Sequence, residues 1–238
     1  MKRLHTKSQN FLRSPSIVKT LVGHSNIKRS DTVYDIGAGS GIISYVLSDA
    51  CRQVVAVEQD SRMITKLHDN LDDLHNVTIQ KGDALTITLP TTPYKVFANI
   101  PFHLSSPILR RFTEAERPPT AIYLIVQKQF AEKLLIGNEN FTGLLGVYIA
   151  PHFTTRIRYK LLRSDYRPAP AVDTVLVELL RRNEPLLPST DMVSYREFVE
   201  RCFSRQKYFD TLSTGKRPSQ LSLGEWLGLF ARHSKKSK

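Results

Sequence analysis

The stretch Asp35-Ile36-Gly37-Ala38-Gly39-Ser40-Gly41 constrains this chain more than any other. It follows a short, partly β-branched run, Thr32 to Ile36, and precedes Ile42 to Leu47, whose apolar residues have helical spacing. Glycines at alternate positions let the backbone turn sharply and pass close to a ligand with no Cβ in the way. A strand, a glycine loop and a helix are therefore expected in that order. The unit then repeats. Gln53 to Glu58 reads as a strand, Ser61 to Leu71 as a charged helix, and Asn76 to Gln80 as a strand closed by Gly82-Asp83. Lys95 to Ala98 reads as a strand ending at Asn99, Ser105 to Ala115 as a helix, and Ala121 to Val126 as a fully buried strand. Such alternation predicts an α/β fold, a Rossmann-like, doubly wound, mostly parallel sheet.

Glycine spacing bears on the ligand. The dinucleotide fingerprint is G-x-G-x-x-G, but Ile42 stands where its third glycine belongs and Gly41 comes one residue early, which disfavours a nicotinamide cofactor. About 20 residues beyond the loop, Glu58 ends the second strand, where a carboxylate can accept hydrogen bonds from both ribose hydroxyls of a nucleoside. Asp83 ends the third strand, placed to accept from an adenine amino group. Open α/β sheets bind ligands beyond the carboxyl ends of their strands, so Gly37, Gly39, Glu58, Asp83 and Asn99 are expected around one crevice. A nucleoside without phosphates tolerates carboxylates that would repel a pyrophosphate. S-adenosylmethionine is the cofactor this pattern suits.

Asn99-Ile100-Pro101-Phe102 follows the fourth strand and suits an amine acceptor. The lone pair on adenine N6 is delocalised into the ring, so the amine must be held with that lone pair facing an electrophilic methyl. The Asn99 side-chain oxygen and the Ile100 or Pro101 carbonyl can accept the two N6 protons while Phe102 stacks on the base. No strong general base is needed, because the attacking nitrogen becomes acidic once alkylated. A related motif beginning with Asp acts on DNA adenine and other amines, so charge must choose the polymer. The 238 residues include 34 Lys and Arg against 22 Asp and Glu, a net charge of +12, as expected of a polyanion binder. Lys2, Arg3, Lys7, Arg13, Lys19, Lys28 and Arg29 all precede the first acidic residue, Asp31, so a basic arm leads the fold.

The longest apolar run, Ala121 to Val126, is far shorter than the roughly 20 residues a membrane span requires. Met1 to Ser16 has no apolar stretch after its charges and does not read as a secretory signal. Cys51 and Cys202 are too far apart for a CxxC metal site and too few for a disulfide framework, so they read as ordinary thiols of a cytoplasmic protein with no metal; a monomer is expected. Beyond Gln127, a helix to Leu135 and a turn at Gly137 to Gly143 lead to expected late strands at Val147 to Pro151, Thr154 to Leu162 and Thr174 to Leu180. Pro185 and Pro188 mark a linker to two helices, Tyr195 to Leu212 and Gly224 to Arg232. The expected domains are 1–184, binding the cofactor and carrying the basic arm, and 185–238, a small C-terminal helical domain suited to RNA contact.

Taken together, Ser8-Gln9-Asn10-Phe11-Leu12, Asp35 to Gly41, Glu58, Gly82-Asp83, Asn99 to Phe102 and Tyr166-Arg167-Pro168-Ala169-Pro170-Ala171-Val172 resemble the Erm group of 23S rRNA adenine N6-methyltransferases. They also resemble that group's relatives, the dimethyladenosine transferases of small-subunit rRNA. The resemblance implies that Asn10 and Leu12 close over the cofactor, that Gly37 contacts its methionine part, Glu58 its ribose and Asp83 its adenine, and that Asn99 holds the target N6. It further implies that Tyr166, where phenylalanine is commoner, sandwiches the target base. Ile100 and Phe102 look like the 23S branch, whose product blocks macrolide, lincosamide and streptogramin B binding, whereas Pro107 looks like the small-subunit branch. The expected activity is thus methylation of an adenine in 23S rRNA, with small-subunit rRNA, or a non-catalytic RNA-binding module, as the alternatives.

Overall fold

In the computed structural model, residues 11–137, 141–212 and 214–236 are described. Asn10, expected at the cofactor, lies outside them. The repeat expected from the sequence is present: β2 (Thr32–Ile36), α2 (Ile42–Ser48), β3 (Gln53–Glu58), α3 (Ser61–Leu71), β4 (Val77–Lys81), β5 (Lys95–Asn99), α4 (Ser105–Thr113) and β6 (Ala121–Gln127). Ahead of it lie β1 (Phe11–Leu12) and α1 (Pro15–Gly23). After it come α5 (Lys128–Leu134), α6 (Leu144–Ile149), β7 (Phe153–Leu161), β8 (Tyr166–Arg167), β9 (Thr174–Arg181), α7 (Met192–Ser204), α8 (Gln206–Asp210) and α9 (Leu223–Lys236).

Strand order in the main sheet is β4-β3-β2-β5-β6-β9-β7, with β4, β3, β2, β5 and β6 mutually parallel. The reversal of direction around β2 makes the sheet doubly wound and opens a crevice at the strands' carboxyl ends. The central strands are apolar along nearly their whole length because helices cover both faces. Val33, Val54, Ala56, Val96, Phe97 and Ala98 are buried, as is every residue from Ala121 to Val126. Caps set where helices start. Ser14 accepts from the Ile17 amide with Pro15 at the first helical position of α1, and Asp60 accepts from the Arg62 amide at the start of α3. A second, two-stranded sheet pairs β1 with β8 antiparallel, Leu12 opposite Tyr166 and Phe11 opposite Arg167.

The chain forms two compact units, one of residues 1–128 and 157–179, the other of 129–156 and 180–238. The expected boundary after residue 184 is thus replaced by an interleaved one, in which residues 129–156 join the C-terminal helices. Contacts within the second unit explain this. The Thr142 amide donates to the Ser219 carbonyl at 3.0 Å, and the Tyr195 hydroxyl donates to the Val147 carbonyl at 3.4 Å. An aromatic core completes that unit, with Phe203 stacked on Trp226 at 5.8 Å and Tyr195 edge-on to Phe230 at 5.2 Å.

Two expected elements differ. Val147 to Pro151, expected as a strand, falls largely in helix α6. A Cβ on Gly146 would lie 2.6 Å from the Lys133 carbonyl, so α6 packs backbone-to-backbone on α5, and this contact overrides the strand propensity of Val147, Tyr148 and Ile149. The single helix expected over Tyr195 to Leu212 is broken at Arg205, whose φ of −127° and ψ of 87° are not helical, into α7 and α8. No helix among the described residues is long and apolar enough to cross a membrane.

Candidate active site

The loop between β2 and α2 wraps the end of β3. The Gly37 and Ala38 amides both donate to the Val57 carbonyl, at 2.9 and 3.0 Å. Gly41 has φ of +93°, and a Cβ there would meet Leu67 and Leu71 of α3 at 3.0 Å. The early third glycine, which separates this loop from the dinucleotide fingerprint, is therefore required both by left-handed backbone and by close packing.

Glu58, at the end of β3, is buried and held by backbone donors: Oε2 accepts from the Gly39 amide at 2.9 Å, and Oε1 from Gln59 and Asp60 at 2.8 and 2.9 Å. A carboxylate offers about four lone-pair sites, so one acceptor position remains for a ligand. Asp83 follows β4 and is exposed; its Oδ1 accepts from the Leu85 amide at 2.9 Å, closing a local turn. Asn99 ends β5 opposite Ile125 of β6. The next residues turn at once into a short 3₁₀ helix, Phe102–Leu104, in which the Pro101 carbonyl accepts from the Leu104 amide at 2.9 Å.

One cavity brings most of the expected residues together: Leu12, Gly37, Gly39, Glu58, Asp83, Asn99, Ile100, Pro101 and Phe102 all line it. Phe11, Gln59, Ala84, Leu85, Leu104 and Ile108 line it too and were not foreseen. A signal existed for Phe11, Gln59 and Ala84, which adjoin expected residues. Tyr166 is not among the lining residues. It is buried in the β1–β8 pair, its hydroxyl shares a 2.6 Å hydrogen bond with Thr174, and burial pushes that hydroxyl up to about 12. Only its partner Leu12 reaches the cavity.

The donor set fits a nucleoside carrying a positive charge. Glu58 and Asp83 line the cavity, no Lys, Arg or His does so among its described residues, and the glycine loop gives close backbone approach. A phosphate would meet two carboxylates and no cation. Behind the loop lies Asp35, wholly buried: Oδ2 accepts from Ser44 at 2.6 Å, Oδ1 has no hydrogen-bond partner among the described residues, and burial pushes the carboxyl up to about 7. Both cysteines are buried, which pushes Cys51 up to about 11 and Cys202 up to about 12 and leaves them inert as nucleophiles. Among the described residues no three His, Cys, Asp or Glu side chains cluster to hold a metal.

Comparison with known proteins agrees with this geometry. Ribosomal RNA small subunit methyltransferase A of Latilactobacillus sakei subsp. sakei (strain 23K) is 30% identical over 210 residues, covering 84% of this chain and 70% of that protein. The crystal structure of 23S rRNA methyltransferase ErmE superposes with a TM-score of 0.80 at 27% identity, covering 94% of this chain and 99% of that one. A dimethyladenosine transferase from Plasmodium falciparum gives the same TM-score, 0.80, at 23% identity over 95% and 98% of the two chains, a likeness of fold alone. The fold is that of the Rossmann-like methyltransferases, and the cofactor is S-adenosylmethionine. Residues 2–215 match the model described as ribosomal RNA adenine dimethylase, and the chain belongs to that family.

Proposed function

We propose that this protein methylates the exocyclic N6 of an adenine in small-subunit ribosomal RNA. The observation that carries the reading is that Asn99 to Phe102 line the same cavity as Glu58 and Asp83. An acceptor for an aromatic amine and acceptors for a nucleoside cofactor thus share one enclosure. S-adenosylmethionine supplies the electrophilic methyl on its sulfonium; the chain supplies binding, orientation and a dry site. Glu58 and Asp83 accept from the ribose and adenine of the cofactor, and Leu12 closes over it.

On the other side, the Asn99 side-chain oxygen takes one N6 proton of the target base. The Pro101 carbonyl already accepts from Leu104, which makes the Ile100 carbonyl the favoured acceptor for the second. With both protons held, the nitrogen lone pair faces the methyl, and Phe102 stacks on the base after it has left its helix or loop stack. Tyr166 takes a different part from the one its resemblance implies: it carries Leu12 through the β1–β8 pairing, and Phe102 provides the aromatic face. The choice of small-subunit rRNA follows the function named for the curated relatives at about 30% identity.

Methylation of 23S rRNA is a second reading, favoured by Ile100 and Phe102 and by the nearly end-to-end match with ErmE. Antibiotic resistance would follow from that reading only. Transfer of tritium from labelled S-adenosylmethionine to 30S subunits and, in parallel, to protein-free 23S rRNA decides between them. Label in 30S subunits alone is expected, and label in 23S rRNA alone would transfer the protein to the other branch. Asn99→Ala is expected to lower transfer at least a hundredfold, the scale of one lost transition-state hydrogen bond. Turnover undiminished by that change would exclude Asn99 as the N6 acceptor.

A further inference from the structure

Arg111 lies on α4 one turn beyond Ile108, which lines the cavity, so the two share a helix face. Its partly buried guanidinium bridges to the loop after β4: Nε donates to the Leu85 carbonyl at 3.0 Å and Nη2 to the Ile87 carbonyl at 2.9 Å. Everything in that loop leads back to Asp83. Its carboxylate accepts from the Leu85 amide, and its carbonyl accepts from the Thr86 and Ile87 amides, both at 2.9 Å. The Ile87 side chain folds over Gly82, where a Cβ would come within 2.6 Å of it, and the Gly82 amide donates to the Glu58 carbonyl at 2.9 Å.

We infer that Arg111 is a positioning residue for the cofactor pocket: from the helix that follows the amine-acceptor segment, it holds the loop that aims the Asp83 carboxylate. The inference rests on the proposed function, because it assumes that Asp83 meets the cofactor. Its physical basis is the geometry of the fork. A guanidinium can satisfy two carbonyls two residues apart in one plane, and a lysine ammonium is a single point charge on a flexible stem. Asp83 and Thr86 are exposed, so once the fork is gone the part of the loop that carries the Asp83 carboxylate is held by local turns and by the packing of Ile87 over Gly82. A loop that spends a tenth of its time correctly aimed binds about tenfold more weakly, with the chemistry of the bound state unaltered.

Calorimetric titration of the full chain with S-adenosylhomocysteine tests this without RNA. Arg111→Ala should raise Kd about tenfold and raise KM for S-adenosylmethionine equally, leaving kcat at saturating cofactor within about twofold and Tm within a few degrees. Arg111→Lys should recover part of the loss. Arg117→Ala is the control: its guanidinium also holds a carbonyl, that of Thr91 at 2.7 Å, but away from the cavity, and Kd should not change. Arg111→Gln, which keeps two of the three methylenes and a neutral amide donor, serves if the alanine variant does not fold. An unchanged Kd in the Arg111 variants, with the wild type binding normally, would overturn the inference alone. So would a fall in kcat and Tm that accounts for the whole effect. A wild type that binds no S-adenosylhomocysteine would overturn the cofactor reading and this inference with it.

Discussion

The two ends of the central strands use charge in opposite ways. At the amino end, Lys95 opens β5 almost buried, its ammonium donating to the Asn26 carbonyl at 2.6 Å and to Asp31 Oδ2 at 2.7 Å. The Asn26 amide in turn donates to the Tyr123 hydroxyl at 2.8 Å, and Tyr123 donates to buried Glu178 at 3.1 Å. At the carboxyl end, Glu58 and Asp83 are oriented by backbone amides and face a cavity with no cation among the described residues of its wall. Charges paired within the protein hold the fold together. Charges oriented by main-chain donors keep acceptor sites for something that arrives later.

The most severe way to break this contrast is at Lys95. Replacing it with methionine leaves the Asn26 carbonyl and the partly exposed Asp31 carboxylate, which keeps the Lys28 amide, without their buried partner, at a cost of about 3 kcal/mol, the lower end for a broken buried pair. Denaturant unfolding should register that loss, and the folded fraction should still bind S-adenosylhomocysteine with wild-type affinity. A weakened Kd at equal stability would mean that the amino end also shapes the pocket, and the division of labour would fail.

Asp35 belongs to neither group, since it sits at the carboxyl end, wholly buried, with no cation beside it among the described residues. Burial raises its carboxyl from the ordinary 3.8 to about 7, an effect only partly opposed by the Ser44 hydrogen bond. Between those values the folded chain binds more protons than the unfolded one, so this residue's contribution is fully present below pH 4 and is lost as pH rises towards 7. Asp35→Asn removes that slope. Relative to wild type, the variant should gain roughly 2 kcal/mol between pH 5 and pH 7, measured by urea unfolding at the two values. A constant difference between the two proteins across that range would show that the carboxyl titrates normally.

How much of this was legible depended on which kind of contact carries each element. The parallel strands could be read because their ends are punctuated by residues with backbone consequences, Gly37 to Gly41, Gly82 and Pro101, and because the interiors of β3, β5 and β6 are unbroken apolar runs. The cavity was legible for the same reason: strand ends in a doubly wound sheet must meet. Helix α6 was not, since Val147 to Ile149 favour a strand locally and only the approach of Gly146 to Lys133 decides otherwise. Arg111 was equally hidden. Its partners are carbonyls of Leu85 and Ile87, and a contact between a side chain and distant main chain leaves no mark in the identities of its partners.

Tyr166 offers the smallest and most discriminating effect. The resemblance assigns its ring to the target base, yet the residue is 4% exposed, its hydroxyl is tied to Thr174, and it is linked to the cavity through Leu12, its partner across the β1–β8 pair. Tyr166→Phe keeps the ring and removes one buried hydrogen bond, leaving the Thr174 hydroxyl unsatisfied, which should cost about 1 kcal/mol of stability. Methyl transfer to RNA should stay within about twofold of wild type, because a difference of that size is under 0.5 kcal/mol in the barrier. A tenfold fall in kcat with stability unchanged would place the hydroxyl in the chemistry. The β1–β8 pair would then have to open when RNA binds, and the carboxyl end of the sheet would hold a polar group that, like Lys95 at the other end, is paired in the free protein.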